Sequence, residues 1–448
     1  MNNRDGFGSR FGALVAMAGS AVGLGNLWRF PYLVGENGGA AFIIIYVALC
    51  FLICLPIFIS EFVIGRRSQK NAFAAYRDLS GGSAWKWVGL MTVIIPLVVA
   101  SYYSVIGGWS IQYLFKSLTF SFTGDTQDAI NTMFTDFVSS PWPPLVCHTL
   151  FLLVTAIVVM SGIKGGIEKF SKIMMPLLFF IVIGIAVYSL TLPGADAGVR
   201  YLFHPDFSKI DGKACAAALG QAFFSLSLGF GTILTYGSYV SKKENIMFQS
   251  TATAVSDLMF AMIAGTAIMP AVFAFGLNPQ SGPGLVFETL PYVFSQMPAG
   301  GFIAILFFVA LIVAAVTSSI SMFEVAAAYL IEEKNMSRVA ACSLIFVICW
   351  VFGAFCSLSF GPMSDILIFG RTIFDFFDNL SSNILMTLGS LMTVLFVGWR
   401  LKETDIYDEF TNGGSLATNV KVFGVLWFLI RYIAPLAIIF IFLFGLLG

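Results

Sequence analysis

The chain reads as a succession of predominantly apolar runs, each about eighteen residues or longer, the length an α-helix needs to cross a bilayer. In order they cover roughly 11–36, 39–65, 87–115, 145–162, 167–191, 214–240, 246–276, 300–331, 337–358, 366–398 and 421–447, which predicts about eleven membrane helices. An odd number places the two termini on opposite sides. Lys and Arg fall on alternate connections: Arg4, Arg10, Arg66, Arg67, Lys70, Arg77, Lys86, Lys164, Lys169, Lys172, Lys242, Lys243, Lys334, Arg338, Arg400, Lys402 and Lys421 on one side, against Lys116, Arg200, Lys209 and Lys213 on the other. The positive-inside rule then predicts a cytoplasmic N-terminus and an external C-terminus, in the cell inner (plasma) membrane. The external segments 117–144, 192–213 and 277–299 are long and rich in Gly, Pro, Asp and Phe, and none is low-complexity.

Two of the runs are punctured at mid-depth. The first contains "AGSAVGLGNLWRFP", Ala18 to Pro31, with three glycines, Asn26 and Arg29; the sixth contains "GQAFFSLSLGFGTILTYGSY" from Gly220. Two five-span units that each open on an interrupted helix have opposite topology, because five is odd. The pattern predicts an all-α polytopic protein with a five-plus-five inverted-repeat core, broken helices 1 and 6 meeting at the bilayer midplane. The whole chain, 1–448, reads as one transmembrane domain: repeat one about 10–191, repeat two about 214–398, and an additional helix about 421–447.

A backbone carbonyl left unsatisfied in hydrocarbon costs several kcal/mol, so a helix breaks there only where something else completes it. Gly19, Gly23 and Gly25 admit non-helical dihedrals and free the carbonyls of Gly19, Ala21 and Val22, while Asn26 adds an amide oxygen. Neutral oxygens without a dense carboxylate cluster suit a hard monovalent cation such as sodium. The amides at the start of a half-helix favour an anionic group on a ligand. The competing reading of Gly19-x-x-x-Gly23 is a small-residue packing motif, which does not account for Asn26 and Arg29 at that depth.

Composition adds exclusions. The chain is 58% hydrophobic and 11% charged, with a mean hydropathy of +0.89, outside the range of soluble domains. Twenty-four basic residues balance 24 acidic ones, so no global field points to nucleic acid. Cys50, Cys54, Cys147, Cys215, Cys342, Cys349 and Cys356 lie in or beside apolar runs, without metal-type pairing to His148 and His204, and read as packing residues. "MNNRDGFGSRFG" lacks a signal-peptide core, so the first span is expected to act as its own insertion signal. An enzyme would need a catalytic constellation and a channel a continuous polar path; the polar groups converge instead on two helix breaks.

"AGSAVGLGNLWRFPYLVGENGGAAF", "GQAFFSLSLGFG" and "TSSIS" in span eight resemble the neurotransmitter:sodium symporter family, in particular its bacterial amino-acid transporters, in register from about Arg4 to about Pro435. The resemblance implies sodium-coupled symport of neutral, mainly hydrophobic amino acids by alternating access, with an aromatic amino acid or another small zwitterion as the alternative cargo. Two sodium sites are implied, with no organic cofactor and no obligatory protein partner besides the lipid bilayer. The first site would use Ala21, Asn26, Ser225, Asp257 and the substrate carboxylate; the second, Gly19, Val22, Ala314, Thr317 and Ser318. Substrate would meet Ala21, Gly23, Gly25, Val99, Tyr103, Phe224, Ser225, Ser227, Phe230, Ser318, Ser321 and Met322. Arg29 with Asp378 would gate the outside, supported by Glu61 and Gln221, and Arg4 with Glu332 and Tyr239 the inside. Gly166 and Pro176 would let span five unwind. Where chloride-binding relatives carry Asn, this chain has Asp257, which implies chloride independence; where monoamine carriers have Asp, it has Gly23, which implies a substrate with its own carboxylate.

Overall fold

In hydrocarbon only helices satisfy every backbone group within one segment, and the apolar runs adopt that solution. The computed structural model describes residues 5–122, 126–279 and 282–447. In chain order its helices are α1 Arg10–Ala21 and α2 Gly25–Glu36, a pair bent by 45°, then α3 Ala40–Ser68, α4 Ala72–Leu79, α5 Lys86–Leu118, α6 Gln127–Ser139 and α7 Trp142–Met160. There follow α8 Ile163–Leu190, α9 Ala195–Phe203, α10 Gly212–Ser225, α11 Thr232–Gly237 and α12 Ile246–Ala274. The remainder are α13 Thr289–Gln296, α14 Gly300–Lys334, α15 Arg338–Leu358, α16 Ile373–Arg400, α17 Glu403–Thr411 and α18 Ala417–Leu443.

Among the described residues nine helices are long and apolar enough to cross a membrane, and the bent α1–α2 pair makes ten. The sixth run from the sequence is split into α10, 14 residues, and α11, 6 residues, each too short alone. The core is the expected inverted-repeat arrangement: α1–α2, α3, α5, α7 and α8 form one five-span unit, and α10–α11, α12, α14, α15 and α16 the second. Each of the three long connecting segments, 117–144, 192–213 and 277–299, carries a short helix, α6, α9 or α13. The run predicted from 366 becomes helical only at Ile373, because Phe369 and Gly370 take positive φ (50° and 77°) in a tight turn closed by an Ile368–Arg371 bridge.

Burial separates the centre from the rim. In α5 and α14 72% of the most apolar window is buried, against 33% in α15 and α18, so the third and eighth spans form the packed centre and the last helix lies at the edge. One tie was not foreseen. Arg66, at the end of α3 and only 1% exposed, pairs with Glu409 of α17 at 2.5 Å. It also donates to the carbonyls of Glu244 and Glu409 and, at 2.9 Å, to Asn412 Oδ1. That fork clamps the segment before α18 onto the core. All seven cysteines are free, six of them buried, as expected of packing residues.

Candidate functional site

The two interruptions face each other. α1 ends at Ala21, after which Val22 is extended (φ −75°, ψ 98°). The freed Gly23 amide donates to Asn26 Oδ1 at 3.0 Å and the Leu24 amide to Tyr103 Oη at 3.2 Å. Between α10 and α11, Ser227, Gly229 and Gly231 all take positive φ. The Gly229 amide donates to Glu61 Oε1 at 2.7 Å, and Thr232 Oγ1 donates to the Ser227 carbonyl at 3.0 Å. Ser227 Oγ donates to the Ser20 carbonyl and Gln221 Nε2 to the Gly25 carbonyl, both at 2.9 Å, so the breaks hold each other. Glycine is required at Gly23, where a Cβ would collide with Ser318 Oγ, and at Gly229, where it would strike the Met386 carbonyl.

The breaks enclose a cavity of about 10 Å³ lined by Ser20, Ala21, Gly23, Gly25, Tyr103, Phe224, Ser225, Ser227, Phe230, Ser318 and Met322. That is about the room of a single water, so the walls must move apart to admit a larger occupant. No charged side chain lines it. Two expected substrate contacts lie off this wall: Val99 is buried in α5 one turn before Tyr103, and Ser321 stands behind Ser20, whose hydroxyl donates to it at 2.8 Å.

Asp257 gathers the first oxygen cluster. Its Oδ1 accepts from Asn26 Nδ2 and Ser225 Oγ, each at 2.8 Å, and its Oδ2 from Tyr46 Oη at 3.3 Å. All four residues are buried. Asp257 therefore lies at the heart of the bundle. One carboxylate, one amide and hydroxyls, with no cluster of three or more His, Cys, Asp or Glu among the described residues, fit a hard monovalent cation and not a transition metal.

At the second cluster Thr317 Oγ1 donates back to Val313 and Ala314 carbonyls at 3.1 and 3.0 Å, the local capping that a helical Thr commonly makes. Ser318 does something else: its Oγ reaches across to the carbonyls of Ser20 at 3.2 Å and Gly19 at 3.5 Å. A Cβ at Gly19 would lie 3.4 Å from Thr317 Cβ. Gly19, Ala314, Thr317 and Ser318 thus converge where α1 breaks against α14, with Val22 buried beside them.

The gate residues divide. Arg29 lies over the Phe224 ring at 5.0 Å, with Tyr32, Asp378 and Tyr102 as its electrostatic neighbours. Asp378 Oδ1 accepts from Ser382 Oγ at 3.0 Å, and no Arg29–Asp378 ion pair is formed among the described residues. A space of about 170 Å³ next to the cavity is lined by Arg29, Leu33, Phe223, Ser382 and Thr387, with α18 contributing Ile441. Gln221 Nε2 reaches the Gly25 carbonyl beside it at 2.9 Å. Glu61 does not support this end: it holds the unwound Gly229 from the Arg66 end of α3, because the carboxylate is the acceptor that the positive-φ amide lacks within its own segment. At the opposite end Arg4 lies outside the described residues. Glu332 accepts from the Asn71 amide and Nδ2, both at 2.9 Å, and Tyr239 Oη donates to Glu324 Oε1 at 2.6 Å. α8 runs helically through Pro176, so Gly166–Pro176 is wound in this structure.

Four participants escaped the sequence reading: Ser20, Tyr46, Glu168, and the Glu324–Arg338 pair. Glu324 is fully buried and bridged to Arg338 at 2.7 Å; a Glu inside a long apolar helix was itself the signal. Glu168 accepts from the Gly8 amide at 2.6 Å, Ser9 Oγ at 2.8 Å and Lys172 Nζ at 2.6 Å, fixing the irregular segment before α1 to α8. Tyr46 was a lone polar tip in an apolar run. Ser20 sat within the quoted motif but carried no distinguishing pattern.

Against known proteins, the profile of the Sodium:neurotransmitter symporter family matches residues 4–136 and 128–448. A Bacillus subtilis protein named "uncharacterized sodium-dependent transporter YhdH" is 40% identical over 440 residues, covering 97% of this chain and 96% of the relative. The human sodium-dependent neutral amino acid transporter SLC6A17 is 29% identical over 308 residues, covering 62% and 42%. The crystal structure of MhsT in complex with L-phenylalanine superimposes with a TM-score of 0.90 at 42% identity, covering 98% of this chain and 99% of that one.

Proposed function

Since the chain belongs to the sodium:neurotransmitter symporter family, a family of sodium-dependent membrane transporters and not of enzymes, we propose that it carries a neutral, mainly hydrophobic amino acid together with sodium, by alternating access and without chloride. The observation that carries this reading is the small closed cavity between the two helix breaks, bounded on one side by the Asp257 cluster and on the other by Ser318. In this reading the substrate carboxylate faces the start of α2 and Tyr103. The Tyr103 hydroxyl already accepts from Leu24, which leaves its own proton for a ligand oxygen. The ammonium is received by carbonyls near Ala21, Phe224 and Ser227, and Phe224, Phe230 and Met322 surround the side chain. A charged side chain would be desolvated there without a partner, at a cost of several kcal/mol.

Two sodium ions are proposed, one on Ala21, Asn26, Ser225, Asp257 and the substrate carboxylate, one on Gly19, Val22, Ala314, Thr317 and Ser318. The Asp257 carboxylate supplies the fixed negative charge that favours chloride independence. We assign eleven crossings in one domain, repeats at about 10–191 and 214–398 plus a helix at about 421–447, with the Lys/Arg-rich end and the N-terminus cytoplasmic. Tyr103 and Phe230 close the outer side under Arg29 and Asp378; Arg4, Glu332 and Tyr239 close the inner side, and unwinding between Gly166 and Pro176 opens it. An aromatic cargo is the second reading, favoured by the likeness to MhsT with L-phenylalanine. Displacement of a bound labelled amino acid by Leu, Phe, Trp, Lys and Glu tests both. Leu or Phe should compete strongly; strong displacement by Lys or Glu would mean that this cavity is not the substrate pocket.

A further inference from the structure

The approach to Asp257 is one-sided. At 100° per residue, Gln249, Ser250, Thr253, Asp257, Phe260, Ala261 and Ala264 of α12 fall within an arc of about 120°, and all are buried. Between Gln249 and Asp257 that face is polar; Ile246, which opens α12 in the same arc, and Phe260, Ala261 and Ala264 beyond Asp257 are apolar. Gln249 Oε1, Ser250 Oγ and Thr253 Oγ1 have no hydrogen-bond partner among the described residues. Ser256 and Thr266 of the same helix bond the carbonyl four residues back, Ala252 at 2.8 Å and Met262 at 2.9 Å, whereas Thr251 Oγ1, outside this arc, is also without a partner among the described residues. Ser250 and Thr253 forgo this bond and the Gln249 side-chain oxygen lacks a donor, all on the face that leads to Asp257, whereas nearly every buried polar group in a packed interior is satisfied. The polar face ends at the N-terminal end of the bundle: Gln249 Nε2 reaches the Arg10 carbonyl at 3.5 Å, beside the Arg10–Glu244 ion pair at 3.1 Å. From Gln249 to Asp257 is eight residues, about 12 Å along the helix.

We propose that this face of α12 is a hydrated route by which the first sodium ion leaves the Asp257 site toward the N-terminal end, Gln249, Ser250 and Thr253 replacing part of its water shell on the way. The apolar Phe260–Ala264 stretch denies the same helix face to the opposite end. The route rests on the reading that Asp257 holds an ion. It is distinct from the Thr317–Ser318 cluster, which lies on α14 on the other side of the α1 break.

The test uses the full chain in proteoliposomes. Ser250→Cys, Thr253→Cys, Ala261→Cys and Ala264→Cys are each exposed to a small cationic methanethiosulfonate reagent. Without sodium, positions 250 and 253 should react faster than 261 and 264, and sodium with substrate should slow them. Equal rates at all four positions would overturn the route. Thr253→Val, which keeps the shape and removes the hydroxyl, should slow exchange of radioactive sodium about fivefold, the factor carried by one lost hydrogen bond, while leaving the equilibrium sodium dependence of substrate binding unchanged. Wild-type exchange in both Thr253→Val and Ser250→Ala would also overturn it. Asp257→Asn in the same equilibrium assay reports on the underlying site: an unchanged sodium dependence there removes the site itself, whereas an impaired one together with wild-type exchange in the route variants removes only the route.

Discussion

Replacing Asp257 by Asn removes a charge and almost nothing else. The carboxylate accepts from Asn26 and Ser225 on Oδ1 and from Tyr46 on Oδ2. An asparagine amide oriented with its oxygen at the Oδ1 position keeps the first two bonds. Its NH₂ then faces Tyr46, whose hydroxyl can rotate to accept. The packing is therefore preserved and the change isolates electrostatics. A sodium ion about 4 Å from a unit charge gains roughly 4 kcal/mol at an effective dielectric constant near 20. Part of this is offset, because the neutral amide is cheaper to bury than the carboxylate. A net loss of about 1.4–4 kcal/mol corresponds to a ten- to thousandfold weaker sodium dependence. The assay is a sodium titration of substrate binding, run once in chloride and once in gluconate. We expect the titration of the variant to move to higher sodium by at least tenfold in gluconate, with partial recovery in chloride where the anion replaces the missing charge. A midpoint within twofold of the wild type in both salts would refute the electrostatic role of Asp257.

Four further outcomes follow from the geometry. Thr317→Ala with Ser318→Ala should shift the sodium titration far more than it alters the preference among neutral amino acids; an unaltered titration would reduce both hydroxyls to helix capping. Gly23→Ala introduces a methyl against Ser318 Oγ and within 3.1 Å of Tyr103 Oη, and overpacking of this kind costs about 1–3 kcal/mol, so equilibrium binding should fall at least several-fold; wild-type affinity would show that the backbone there does not border the ligand. Arg338→Met leaves the buried Glu324 without its cation, and removal of one partner of such a pair costs about 3–5 kcal/mol, read as a clear drop in melting temperature that Glu324→Gln in the same chain should partly restore. Phe230→Ala should weaken binding of aliphatic amino acids through lost contact, by about 2–5 kcal/mol where the cavity is not refilled, and spare large aromatic ones; equal losses for Leu and Trp would remove Phe230 from the side-chain wall.

The fold was legible because hydrocarbon leaves the chain few choices: length and apolarity mark the spans, and glycines beside polar groups at mid-depth mark the breaks. The residues at the breaks followed for the same reason. Asn26 was read that way; Ser225 and Asp257 came only with the family resemblance, and the structure brings the three together. Less legible was anything that depends on which helix face turns where. Val99 and Tyr103 lie one turn apart on α5, yet only Tyr103 reaches the cavity. Glu61 bonds the Gly229 amide because α3 passes the α10–α11 break on the Arg66 side, a packing fact absent from its local sequence. The Arg66 fork joins residues 343 positions apart, beyond any pattern along the chain. Glu324, by contrast, could have been found, since a carboxylate seven residues past Thr317 in a long apolar helix needs a partner, and Arg338 opens the next one.

Uptake of a labelled neutral amino acid into proteoliposomes under an imposed sodium gradient, with gluconate as the only monovalent anion, tests the central claim most directly. The account predicts saturable, concentrative uptake that collapses when sodium is replaced by potassium or choline and is indifferent to chloride. Uptake that persists without a sodium gradient, or that appears only when chloride is restored, would contradict it.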